Sequence, residues 1–234
     1  FALFLSEDRI IDFRLKRIIA HETFHTWLGE RMLFSSPEQL VYWFKEGFAD
    51  YYARLTLLRA NLITINEYVE NYNKVLSEYY TSPVRLEKNE RLIADFWNDD
   101  NIMKLPYQRG DIIAHNLNAA IFKNSGGKFN LDDMMRDLYT RSKTQSIVIS
   151  NGSLSSLIRY YAGDIALSEI MRTLNSGMPL QTYPNALGDC YSMNIYTARK
   201  FWLFGEKYKI PEYKFINSGK SGLDKDCLRW FGTK

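Results

Sequence analysis

The stretch His21-Glu22-Thr23-Phe24-His25 constrains this chain more than any other. It holds two of the three histidines in 234 residues, four positions apart. On a helix, positions i and i+4 share one face with Cβ atoms about 5–6 Å apart. Two imidazoles so placed can converge on one zinc ion at about 2.0–2.1 Å each. Glu22 is one residue from His21, a rotation of about 100°. It therefore flanks the cation without ligating it, where a carboxylate can act as general base toward a water molecule. Two ordinary helix histidines can produce the same pattern by chance, so a third ligand is needed. Trp43-Phe44-Lys45-Glu46-Gly47-Phe48-Ala49-Asp50 offers one in Glu46. Asp50, four residues on and on the same face, can accept the other ring N–H of a ligating histidine. The surrounding aromatics argue against a merely solvated acidic face.

Helical spacing surrounds these motifs. Ile11, Leu15, Ile18, Ile19, Phe24 and Leu28 predict a helix over about 11–33, with Phe24 and Trp27 packing it against neighbours. Ser36, Pro37 and Gln39 read as an N-cap, a proline in the first helical position and a capping-box partner for the helix carrying Glu46. Thr64 with Glu67 opens a helix to about Tyr80. From Pro83 to about Leu105 the sequence reads as loop with a short helix, and Pro106 as the start of a helix over 106–123. Asn124-Ser125-Gly126-Gly127 closes that helix, and Asn130 caps the next, with Asp132 and Asp133 in its first turn. Two shorter helices are expected near 153–161 and 164–174. Beyond Gly177 no period is sustained, and loops with a short hairpin or terminal helix are expected. The chain thus divides into a helical lobe, 1–178, and an irregular C-terminal extension, 179–234, packed on the same domain.

Composition excludes some classes of function. Thirty basic residues are interspersed with 27 acidic ones for a net charge of +3, without the basic run or stripe of a nucleic-acid binder. No stretch approaches the ~20 apolar residues of a membrane span. The first residue is Phe1, and the chain is read as a fragment of a longer protein. Cys190 and Cys227 are either unrelated thiols or one disulfide; a disulfide implies an oxidising compartment, favouring an extracytoplasmic location over a cytoplasmic one.

His-Glu-x-x-His with a downstream Trp-x-x-Glu-Gly-Phe resembles the gluzincin metallopeptidases, most closely the glycyl aminopeptidases and more distantly aminopeptidase N. Trp27 is similar to both groups, Gly29 to aminopeptidase N, and Arg31 to the glycyl aminopeptidases. Leu105-Pro106-Tyr107-Gln108-Arg109-Gly110 resembles their Tyr-x-Lys/Arg-Gly segment. Gly127-Lys128 and Leu131–Met135 resemble the stretch that follows it in glycyl aminopeptidases, and a weaker match at Tyr160–Gly163 carries the resemblance to about residue 175.

The resemblance implies a mainly α fold: the helical zinc-binding lobe of a thermolysin-like, zincin catalytic domain. It also implies zinc-dependent hydrolysis of a peptide or protein substrate, with His21, His25 and Glu46 on the metal and Glu22 as base. Tyr107 is implied as donor to the oxyanion, a role that suits a neutral phenol aimed at developing charge. His115, two helical turns from Tyr107, can border the cleft, although a structural role is the expected one for a lone helix histidine. Two departures stand out. His25 and Glu46 are two residues farther apart than in aminopeptidase N, which the turn around Ser35-Ser36 can absorb. In addition, nothing before His21 resembles the Gly-rich, acid-terminated segment that anchors a substrate's amino end, so preceding sequence is expected to complete the substrate site. The alternative reading is a zinc-containing binding or scaffold domain without peptidase activity.

Overall fold

A computed structural model describes residues 10–29, 31–199, 205–216 and 225–232. Two long helices, α2 (Tyr42–Arg59) and α5 (Asp100–Asn124), form its centre. Both are apolar on most of their circumference: Trp43, Phe44, Phe48, Leu55, Ile112, Ile113 and Ile121 are all buried. Fully burying a side chain of this kind contributes about 1.5–3 kcal/mol each, enough to hold polar residues in the interior where partners exist.

The two helices touch backbone to backbone. A Cβ placed on Gly47 would lie 2.3 Å from the Gly110 Cα, and one placed on Gly110 would lie 1.7 Å from the Trp43 carbonyl oxygen. Both distances are far inside van der Waals contact, so only glycine fits either position. This crossing sets Glu46, adjacent to Gly47, and Tyr107, one turn before Gly110, on neighbouring helix faces.

Helix α1 (Phe13–His25) packs on α2. Its N-cap is Asp12, whose side chain accepts from the Leu15 N–H at 2.8 Å. The helix ends at His25 rather than running to about residue 33. The Thr26 N–H turns to the Thr23 carbonyl, the His25 ring bonds the Leu28 carbonyl, and Gly29 has φ +150°. Leu28 and Met32 are still buried, but from this turn and the loop after it; their helical spacing is coincidental.

Ahead of α2, Glu38–Val41 form one 3-10 turn, and Pro37 is its cap residue without a side-chain hydrogen bond. The expected Ser36–Gln39 capping box is not made, because the chain turns tightly at Glu38 instead of entering an α-helix at Pro37. Lys45 instead reaches back to Glu38 at 2.7 Å.

The Thr64–Glu67 capping box is present and opens α3 (Ile65–Thr81). The region after Pro83 contains the short α4 (Arg91–Asp95). Pro106 does not open α5. The helix starts one and a half turns earlier, where Asp99 accepts from the Asn101 and Ile102 N–H groups. Asp100, Asn101 and Lys104 are only its wet face; Ile102 and Leu105 are fully buried on the other. The missing N–H of Pro106 costs about 3 kcal/mol in a helix interior, which this burial offsets.

Asn130 and Asp133 form the second capping box, opening α6 (Leu131–Gln145). Residues Asn151–Ser176 form α7, interrupted at Gly163 with φ 87° and ψ 172°. Two helical pieces therefore flank that residue, as the spacing predicts. Phe34 pairs with Ile149 in an isolated parallel bridge, tying the loop after α1 to the start of α7.

Within 179–234, strands β1 (Tyr191–Arg199) and β2 (Lys207–Phe215) make an antiparallel hairpin with Tyr191 opposite Phe215, followed by α8 (Lys225–Trp230). Strand β2 lies on α3, where Asn73 bonds the Tyr213 backbone in both directions at 2.9 and 2.8 Å. Cys190 and Cys227 are bonded to each other, which joins α8 to the start of the hairpin. Among the described residues, no helix is long and apolar enough to cross a membrane.

Candidate metal centre

Helices α1 and α2 bring three donor atoms together. His21 Nε2 and His25 Nε2 are 3.0 Å apart. Glu46 Oε2 lies 3.2 Å from His25 Nε2 and 3.4 Å from His21 Nε2. Three ligands of a tetrahedral zinc ion with bonds of about 2.0–2.1 Å stand about 3.3 Å from one another. The triangle therefore has the edge lengths that such an ion requires.

Each ring is oriented from behind. His21 Nδ1–H donates to Asp50 Oδ1 at 2.8 Å, and His25 Nδ1–H donates to the Leu28 carbonyl at 3.1 Å. With both Nδ1 atoms acting as donors, both Nε2 lone pairs are free to face the common point. The early end of α1 now has a purpose, since a helix continuing past His25 would carry the Leu28 carbonyl away from that ring. The donor set, geometry and outer hydrogen bonds all fit a divalent zinc-like cation.

The metal-free electrostatics agree. Burial disfavours a charged His21, but the hydrogen bonds to Asp50 and Glu46 outweigh it and raise its pKa to about 9. Burial likewise works against ionised Glu46, yet His21 and His25 hold it down to about 2. Asp50 is lowered against its burial by His21 and then by Arg17. Two carboxylates thus stay ionised in a mostly buried site, and a dication satisfies them better than one proton can.

Arg17 is the residue that sequence reasoning missed. It sits one turn before His21, and its Nη1 donates to Asp50 Oδ1 at 2.7 Å, the same oxygen that receives His21. Its four-residue spacing puts it on the histidines' face of α1, but only the position of Asp50 on α2 gives it this role.

Tyr107 enters from α5, its ring stacked over His21 with centroids 5.9 Å apart. Burial, then the charges of Glu46, Asp50 and Glu22, push its pKa far above the usual tyrosine range. It remains a protonated donor. Glu22 is half-buried on α1, and its charge adds, least of the three, to the rise at Tyr107. Phe24 and Trp27 leave the site, stacking on Tyr52 and Tyr139.

His115 does not border this centre. It is 1 % exposed, with Nδ1–H donating to the Asp111 carbonyl at 2.9 Å and Nε2 accepting from the Tyr68 hydroxyl at 2.9 Å. Tyr72 stacks on its ring, and burial lowers its pKa. Beside it, fully buried Arg54 pairs with Asp111 and donates to Asn71 at 2.9 Å. This network joins α2, α3 and α5 and is structural.

The fold is mainly helical, and His21, His25 and Glu46 form a group that could hold a metal ion. Residues 14–100 match the M61 glycyl aminopeptidase family, a span that carries His21, Glu22, His25, Glu46 and Asp50 and covers a little over a third of the chain. The chain resembles that peptidase family over this span. Tyr107 and the weaker similarities traced to about residue 175 lie beyond it. No curated protein matches the sequence.

Proposed function

We propose that this chain carries the metal site of a zinc-dependent peptidase of aminopeptidase type. The observation that carries the reading is the convergence of His21 Nε2, His25 Nε2 and Glu46 Oε2 within 3.4 Å of one another, within the span that matches a peptidase family. Three protein ligands would leave room on a bound zinc for water or substrate, the pattern of catalytic rather than structural sites. A zinc ion bound there supplies Lewis acidity toward a water molecule and a substrate carbonyl.

The chain's own groups do the rest. Glu22, which ligates nothing in this arrangement, takes a proton from the attacking water on its carboxylate and later delivers it to the leaving amine. The Tyr107 hydroxyl donates to the oxyanion formed on the substrate carbonyl. Asp50 holds the His21 ring by its Nδ1–H, and Arg17 holds Asp50. The retained Glu22 favours this reading over a zinc-bearing scaffold, which has no use for a base beside an open coordination position. The bonded Cys190–Cys227 pair suits an extracytoplasmic setting.

Treatment with a chelator should abolish cleavage of unblocked peptides, and zinc should restore it. Peptidase activity that survives complete removal of metal would refute the proposal. The pH dependence of loading follows from His21. In the metal-free site its pKa is about 9 against 6.5 unfolded, so its proton is bound at neutral pH and must leave when metal enters. Apparent zinc affinity should weaken about tenfold for each pH unit lost between 8 and 7. For the metal-free protein the sign reverses. The stability that protonated His21 contributes is complete below pH 6.5 and is lost as pH rises through 9. Zinc titrations at several pH values, with a competing chelator, measure the first effect.

A further inference from the structure

A cleft of about 470 Å³ shares Tyr107 and Asp50 with the metal centre and opens between α1, α3 and α5. Four cations line it: Arg14, Arg17, Lys74 and Lys104. The acidic groups facing them are Asp50 and Glu78. Arg17 is held by Asp50 at 2.7 Å. Lys74 stands 3.9 Å from Glu78, with both side chains about half exposed or more, a contact that water weakens. Arg14 and Lys104 form no ion pair among the described residues. Among the described residues, the cleft therefore carries an excess of unneutralised positive charge.

A second observation comes from its wall. Gln108, one residue after Tyr107, is 9 % exposed, and its buried side-chain oxygen has no hydrogen-bond partner among the described residues. A buried acceptor without a donor is destabilising; this oxygen has almost no surface open to the cleft, so a ligand N–H meets it only when the Gln108 amide turns outward. An inorganic anion answers the lysines but brings no such N–H to Gln108. A peptide with an acidic side chain supplies both a main-chain N–H and a carboxylate.

We propose that this cleft binds the part of a peptide substrate that runs past Tyr107 and selects an acidic residue there. With its amide turned outward, Gln108 accepts a main-chain N–H on Oε1, and Lys74, Lys104 and Arg14 face the carboxylate. The inference rests on the reading of the centre as a peptide-cleaving one, and gives that activity a substrate preference.

The test separates the two ideas. Hexapeptides whose amino-terminal peptide bond has been reduced, so that an aminopeptidase cannot cut it, are made in pairs that differ only by Glu or Gln. The varied residue is placed in turn on either side of the reduced bond. Calorimetry on the zinc-loaded protein should show the Glu peptide binding at least about fivefold tighter in one of these positions. That ratio should fall toward one in high salt and in the Lys74→Met/Lys104→Met double variant, with thermal melting checking that the variant is folded. Equal affinities for Glu and Gln in every position would overturn the proposal, as would a preference that survives in the folded double variant. Failure of the zinc-loaded protein to cleave the unreduced peptides would instead count against the peptidase reading, because binding of the reduced pairs is read without turnover.

Discussion

Gly110→Ala should unfold the molecule or cost it more than about 3 kcal/mol, at the upper end of what overpacking does. An alanine in a helix interior is ordinarily better than glycine by about 1 kcal/mol, so propensity alone predicts stabilisation. The crossing reverses the sign. The new methyl group would lie 1.7 Å from the Trp43 carbonyl oxygen and 2.7 Å from the Gly47 Cα. Neither contact is the movable end of a side chain, so α5 must draw away from α2. That separation also opens the core around Phe44 and Phe48 and shifts Tyr107 relative to His21. Gly152→Ala provides the contrast. Gly152 is exposed in the first turn of α7, and its added carbon meets only the Ser150 Oγ at 3.6 Å. It should be neutral or stabilise by up to about 1 kcal/mol. Denaturant melts of both variants measure the difference, and a fully stable Gly110→Ala protein would mean that the helices do not cross in this way.

Glu22→Gln should leave zinc content and folding intact while peptide turnover falls by about 10²–10⁴-fold or more. The substitution keeps the shape and removes only the proton acceptor. Glu22 is not among the three converging donors, so metal affinity has no reason to fall. The expected signature is a loss in kcat at nearly unchanged KM, because the proton moves in the chemical step rather than on binding. Loss of zinc along with activity would place Glu22 among the ligands. Retained activity would mean that some other group takes the proton.

Much of this site was legible in the sequence for a physical reason. Four-residue spacing on a helix is a geometric statement, so the pairs His21–His25 and Glu46–Asp50 could be assigned to common faces before any coordinates. The capping pair at Thr64 and the cap at Asn130 were equally legible, because they are local exchanges between a side chain and the backbone three residues on. Contacts set by distant partners were not. Pro106 read as a helix start because proline favours that position, yet the burial of Ile102 and Leu105 carries α5 through it. The apolar spacing to Leu28 extended α1 too far, since a turn can bury the same side chains. Ser36 and Pro37 carried the letters of a capping box without making one. Arg17 is a plain surface residue by composition and acquires its role only where α2 delivers Asp50. Gly47 and Gly110 are 63 positions apart, and nothing in their local sequence says that they meet. The strands of the C-terminal hairpin lacked a clean alternation, with β1 exposed at most positions.

The central claim is that one dication is held by two imidazoles from α1 and one carboxylate from α2. Metal analysis of the purified protein, set beside that of Glu46→Ala and His25→Ala variants shown to be folded, tests it most directly. The account predicts about one zinc per chain in the parent protein, and a large loss in both variants. A parent protein with only trace metal after zinc has been offered at neutral pH, or a Glu46→Ala variant as rich in zinc as the parent, would contradict it.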